Sequence, residues 1–192
     1  GDIKNKNDKF LLNMKNRYSP IPSFLSIKFD YNLKLDNVSF SRIFNSNKGS
    51  IEVFKENNSY IWEAKNFPLD ELELSIGNNK FDRVEGIING SGSINLDQSY
   101  LDGRLAWSLG KYRNIKLANS LFDFSFNNNS FYVNSSLYPI DGGIIEVDYD
   151  SNKNNLINLD FNNISTSWTV LTALDIFNFD NTKVVQTINS NI

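Results

Sequence analysis

The chain has 192 residues, with 19 Lys plus Arg against 22 Asp plus Glu, so its formal net charge of -3 supplies no basic excess for holding a nucleic-acid backbone. It contains no Cys and no His, which excludes disulfides, thiolate and imidazole metal sites, His-activated nucleophiles and the side chain that ordinarily titrates near neutral pH. With 40% hydrophobic and 14% aromatic residues it carries enough apolar surface for a large core or a large apolar face, and it is expected to be neither an enzyme nor the holder of a cofactor or metal.

Residues 1–23 carry Lys4, Lys6, Lys9, Lys15 and Arg17 with little periodicity. They are expected to form a tail or truncated element, or a basic patch facing an anionic membrane surface. From Phe24 the dominant signal has period two: Leu25, Ile27, Phe29, Tyr31, Leu33 and Leu35 alternate with polar residues, which predicts one long strand with a dry and a wet face. After Pro68, Leu69, Leu72 and Ile76 stand at helical spacing with acidic residues in the first turn and Gly77 as a stop, predicting a short helix over 69–76. Residues 24–80 thus form the end of a first repeat.

Residues 81–180 read as a second repeat. Alternation recurs at Ile94 and Leu96, at Leu101, Leu105, Trp107 and Leu109, at Phe122, Phe124 and Phe126, and at Phe131, Val133 and Leu137. It continues through Ile145, Val147 and Tyr149 to Ile157, Leu159 and Phe161, with turn signals between the runs. Ser165, Thr166 and Ser167 then offer N-caps for a helix over 164–178 that carries Trp168, Leu171, Leu174 and Phe177. Residues 181–192 are a tail. The opening without Met suggests a segment of a longer protein, and no run approaches the 18 apolar residues of a membrane-spanning helix.

The repeat is carried by Gly49-Ser50-Ile51-Glu52-Val53 and Gly143-Ile144-Ile145-Glu146-Val147. Each copy leads through an Asn pair to a strand centred on Ile61 or Ile157, then to an Asn-apolar step at Asn66-Phe67 or Asn163-Ile164. Other motifs are better explained by structure than by chemistry. Ser108-x-x-Lys111 matches a nucleophile pattern but ends a strand, where the shared helical face that the chemistry requires is missing. Asp70, Glu71 and Glu73 suit the first turn of a helix. Gly86 to Gly92 has Asn95 where a dinucleotide loop needs its third glycine, so its glycines mark close approach or curvature. Asp141-Gly142-Gly143 reads as a hairpin turn. A carbohydrate-hydrolase reading would need a functional carboxylate pair; Asp97 and Asp102 are the residues whose mutation would test it. The 31 Asn residues generate six Asn-x-Ser matches, at Asn37, Asn57, Asn89, Asn128, Asn134 and Asn163, too few above chance to indicate glycosylation.

The fold expected is mainly β: a long antiparallel meander curled into a taco-like sheet around an apolar groove and punctuated by short helices, with a closed β-sandwich structural or adhesion module as the alternative. The block Gly86 to Leu96, followed by Leu101-Asp102-Gly103-Arg104-Leu105 and Gly142 to Val147, resembles the strand grammar of TamB and its AsmA-like relatives, nearest the version of photosynthetic bacteria and plastids. Asn66-Phe67-Pro68-Leu69-Asp70-Glu71-Leu72 resembles the strand exit between repeats of that family. The resemblance implies one or two repeats of an envelope protein anchored in the inner membrane and crossing the periplasm. Its partners would be phospholipid or other acyl chains, neighbouring repeats of the same chain and an outer-membrane barrel protein, in lipid transport and outer-membrane protein assembly. By position, the lipid-groove candidates are Phe29, Tyr31, Leu33, Ile94, Leu96, Leu105, Trp107, Phe124, Phe126, Val133, Ile145, Val147, Leu159 and Phe161.

Overall fold

The computed structural model describes residues 2–6, 9–16, 22–30, 32–44, 47–70, 72–75, 81–112, 115–153 and 157–166. In chain order the strands are β1 (Asp2–Lys6), β2 (Lys9–Asn16), β3 (Ser23–Phe29), β4 (Leu35–Phe44), β5 (Asn47–Glu56), β6 (Ser59–Pro68) and β7 (Leu72–Ser75). They continue with β8 (Phe81–Asn95), β9 (Tyr100–Tyr112), β10 (Ile115–Lys116), β11 (Ser120–Asn127), β12 (Ser130–Leu137), β13 (Ile144–Asp150) and β14 (Ile157–Asn162). All belong to one antiparallel sheet ordered β1-β2-β3-β4-β5-β6-β8-β9-β11-β12-β13-β14, with β7 paired to β8 and β10 to β9. The sheet is open and curled, the taco-like meander that the period-two runs predict. No second sheet covers it among the described residues, so the closed β-sandwich is set aside.

Asparagine makes the tight connections possible. Asn57 between β5 and β6 (φ 54°) and Asn128 between β11 and β12 (φ 52°) adopt the left-handed backbone that Asn tolerates better than most side chains.

Directly opposed residues of antiparallel strands share a face, and the register therefore joins apolar positions into ladders across the sheet. One ladder runs Val53–Trp62–Gly92–Gly103–Phe124–Val133–Tyr149–Ile157. The next runs Ile51–Ala64–Gly90–Leu105–Phe122–Ser135–Val147–Leu159. A third starts Phe67–Ile88–Trp107–Ser120 and continues by period two at Leu137–Ile145–Phe161. On the opposite face Ser91 stands against Arg104 and Arg104 against Asp123. The Arg104–Asp123 pair is closed at 2.5 Å, but both side chains are well exposed, so it adds little stability.

Several elements differ from the sequence reading. The alternation from Leu25 to Leu35 is not one strand but β3, a turn and the start of β4. Asp30 reverses the chain, its Oδ1 accepting from the backbone N–H groups of Asn32 and Lys34 at 2.9 Å each. The segment read as a helix over 69–76 holds β7 instead, paired to β8 from Leu72 against Val84 to Ser75 against Phe81. Leu72 fits both patterns, helical spacing with Leu69 and Ile76 and period two with Leu74, and the open edge of the long β8 decides between them. Residues 1–23, read as a tail or truncated element, include β1 and β2, which pair with each other, β2 pairing on to β3. Thr166 begins a helical turn, while the remainder of the helix read over 164–178, and the tail over 181–192, lie outside the described residues.

The repeat is visible as two alike hairpins, β5–β6 and β13–β14. Asn66 and Asn163 both take left-handed backbone (φ 46° and 52°) at the exit of the second strand. In each copy the glycine at or just before the start of the first strand lies against that exit: a Cβ on Gly49 would overlap Asn66 and Phe67, and one on Gly143 would overlap Asn163 and Ile164. The first copy continues into strand β7, not into a helix.

Candidate functional site

β8 and β9 are 15 and 13 residues long and overrun their neighbours at one rim. There the ladder slips between Glu85 and Ile87, with Gly86 at φ 119° and Leu109 at φ 53°. Opposed irregularities of this kind bend a strand pair. Beyond the bend, β7 and β10 flank the overrun to make a flap in the order β7-β8-β9-β10. The Leu69 N–H donates to the Gly86 carbonyl and the Leu117 N–H to the Gly110 carbonyl, both at 2.8 Å, which ties the flap to the chain on either side. Lys111 and Glu85 bridge its two long strands at 2.6 Å.

Between flap and concave face lies a chamber of about 570 Å³, within the range typical of small-molecule sites. Leu105, Trp107, Phe122, Phe124 and Leu137 line it from the sheet, with Ile88. The flap side contributes Leu69, Val84, Tyr112, Ile115 and Leu117. No lining residue is charged. Leu117 and Ile145, both buried, form a packed cluster beside it, against which Trp107, Ile115, Leu137, Val147 and Ile164 rest.

Glycines make room for two tryptophans, Trp107 in the lining of the chamber and Trp62 against Phe124, one of its walls. Trp107 sits where a Cβ on Gly86 or Gly110 would collide with its ring, and its indole N–H donates to the Glu85 carbonyl at 3.0 Å. Trp62 reaches from β6 across β8 and β9. A Cβ on Gly92 or Gly103 would collide with its ring, and one on Gly90 would press on it at 3.3 Å. Its indole N–H donates to the Asp102 carbonyl at 2.9 Å, and its ring stacks on Phe124 with centroids 5.9 Å apart and planes 20° apart. Trp62 is only 9% exposed.

The Asp102 side chain fixes the strand that holds this indole. Burial pushes its pKa upward, but that is outweighed by donation from the Ser93 hydroxyl (2.6 Å), the Ser93 N–H (2.8 Å) and the Tyr100 hydroxyl (3.0 Å), so the carboxyl stays below its ordinary value. The hydrogen bond to Asp102 correspondingly raises the Tyr100 hydroxyl. A carboxyl depressed on folding contributes stability above its unfolded pKa of about 4 and loses it as pH falls through the folded value. The urea midpoint of the wild type is therefore expected to fall more steeply below about pH 4 than that of Asp102→Asn, while at neutral pH the variant is weaker by about 1 kcal/mol. Parallel acid limbs in the two proteins would show that the carboxylate is not the group responsible.

The candidates named from sequence divide into five groups. Leu105, Trp107 and Phe124 line the chamber. Ile94, Phe126, Val133, Ile145, Val147, Leu159 and Phe161 share its face through the register, with Ile145 buried and Phe126, Leu159 and Phe161 exposed beyond the chamber. Phe29 is opposed to Phe10 and Leu35 on the far strands. Leu33 and Leu96 are not in strands: each occupies a turn and is 66% exposed, Leu33 at φ 60°. Tyr31 lies outside the described residues. Leu109, grouped with Trp107 by alternation, points outward at 75% exposure because the bulge reverses it.

The lining also holds Phe122 and Leu137, which alternation had marked without naming them as groove residues, and Leu69, Val84, Ile88, Tyr112, Ile115 and Leu117, which sequence reasoning did not place on this face. Ile88 was accessible by extending period two back from Gly90; the others depend on the flap. Comparisons with protein-family models, curated proteins and solved structures find no match to this chain.

Proposed function

We propose that the curled sheet is a non-enzymatic lipid-handling segment whose concave face shelters acyl chains. The observation that carries this reading is the chamber of about 570 Å³ without a charged lining residue, opening onto a face where Phe126, Phe131, Ile157, Leu159 and Phe161 remain exposed. Such a lining has no charged group to pair with a polar head, and it favours a tail by about 0.8 kcal/mol per buried methylene. Conduction along the apolar ladders needs no specific hydrogen bond. Together with the strand grammar that resembles TamB and its AsmA-like relatives, this supports a role in lipid transport and outer-membrane biogenesis within a periplasm-spanning parent chain, with adjoining repeats and an outer-membrane barrel protein as partners.

Native mass spectrometry of the gently purified protein, followed by organic extraction, tests the reading. Phospholipid or fatty acid is expected to accompany the wild type and Lys116→Asp on the exposed flap strand. In Leu105→Asp or Phe124→Asp a carboxylate buried among hydrocarbon is expected to weaken occupancy at least about a hundredfold. Equal lipid retention by Leu105→Asp and Lys116→Asp would rule the chamber out as the site.

A further inference from the structure

We infer that Trp62 is the stop that sets how long an alkyl chain the chamber accepts, an inference that rests on the acyl-chain reading above. The three ladders give the reason. Along β8 and β9, away from the flap, the concave face presents Ile88 and Trp107, then Gly90 and Leu105, then Gly92 and Gly103, then Ile94 and Leu101. The glycine pair would leave a trough floored by bare backbone, through which the chamber would run on toward Ile94 and Leu101. Trp62 fills that gap. Its indole lies on Gly92 and Gly103, is held by the Asp102 carbonyl and stacks on Phe124, which is itself a wall of the chamber.

The stop is built into the fold. Trp62 is anchored at its edge by the hydrogen bond and at its face by Phe124, and its neighbours on the same face of β6 toward the flap, Ala64 and Phe67, are buried at 3% and 2% exposure. A methyl end advancing from the flap past Leu105 therefore meets an indole wedged between strands. Any of the three glycines replaced by a larger residue would displace that ring, so the glycines and the tryptophan form one device: a gap in the lining and the plug that closes it.

Displacement of an environment-sensitive naphthalene dye by straight-chain fatty acids of increasing length reads the stop directly. In the wild type, affinity is expected to rise about fourfold per methylene and then break to a plateau once the chain reaches the ring. In Trp62→Ala the break moves to longer chains while the slope before it is unchanged. A folded Trp62→Ala with the wild-type break overturns the stop and leaves the chamber standing. A wild type that binds no chain of any length, with no loss in Leu105→Asp, overturns the acyl-chain reading and the stop with it. Because Trp62→Ala removes a large buried ring, a second measurement uses the folded wild type and the milder Trp62→Phe. Fatty acid brominated near the methyl end is expected to quench the tryptophan emission that is lost in Trp62→Phe more strongly than acid brominated beside the carboxyl. Equal quenching by the two acids overturns the assignment.

Discussion

Replacing Gly103 with Val is expected to destabilise the protein by about 4 kcal/mol, near the upper end for single substitutions. A Cβ at this position would overlap the Trp62 ring, with the Ser91 carbonyl 2.9 Å away on the other side. The ring has no retreat, since Phe124 stacks on it and its N–H is bound to the Asp102 carbonyl. The valine must therefore expel the indole, leaving a cavity, an unpaired N–H and an exposed aromatic face. For a chain of this size the midpoint of thermal unfolding should fall by roughly 10 °C. Thermal melts of Gly103→Val, Trp62→Ala and the double variant check it. In the double variant the two losses should fall short of additive by more than about 1 kcal/mol, because Trp62→Ala removes the ring with which the valine collides. Additive losses would place the cost elsewhere.

Arg42→Met is expected to cost about 3 kcal/mol. Arg42 stands on the concave face opposite Gly49 and is 5% exposed, an unusual place for a cation. It is held there by backbone: one guanidinium nitrogen donates to the Pro68 carbonyl and the other to the Asp70 carbonyl, both at 2.7 Å, with the Phe67 ring 5.8 Å below. The pairing of β6 with β8 ends at Pro68, so the guanidinium takes up carbonyls where that ladder stops. Methionine keeps the apolar stem but supplies no donor. Lysine restores a charge without the planar fork that reaches two carbonyls at once, so Arg42→Lys should recover only part of the loss. Urea titrations with an unchanged slope and a lowered midpoint are the expected result. A shift under about 1 kcal/mol for Arg42→Met would show that the clamp is dispensable.

The strand character and the apolar face were legible because period two is a local signal. Leu105, Trp107 and Phe124 could be placed on one face from alternation, and the register confirms their common side. The errors sit where the backbone departs from that period. Alternation runs unbroken through Leu33, yet the Asp30 side chain has already turned the chain there, a choice made by two hydrogen bonds that periodicity does not register. At Leu109 a bulge exchanges inside for outside, so that Tyr112, five residues beyond Trp107, faces the chamber. The flap was hidden for the same reason, and for another: Leu72 satisfies two periods, a helix with Leu69 and Ile76 or a strand with Leu74, and only the overrun of β8 selects the strand. The repeat was legible because its Gly and Asn positions answer to backbone geometry at Gly49, Asn66, Gly143 and Asn163, which few other residue types satisfy.

The order of the sheet follows the order of the chain, with only the short β7 and β10 set aside from the path. Among the described residues every strand pairing is therefore between near neighbours in sequence, and no described strand waits for a distant partner to be made. Chains dominated by such contacts close small loops first and fold quickly for their β content, and their stability is close to a sum of adjacent pairings. Assembly can begin at the first hairpin and proceed toward β14 as each strand becomes available. Inserting or deleting one hairpin would alter the pairings at a single seam, so the length of such a trough can change by whole hairpins while every other strand keeps its partners.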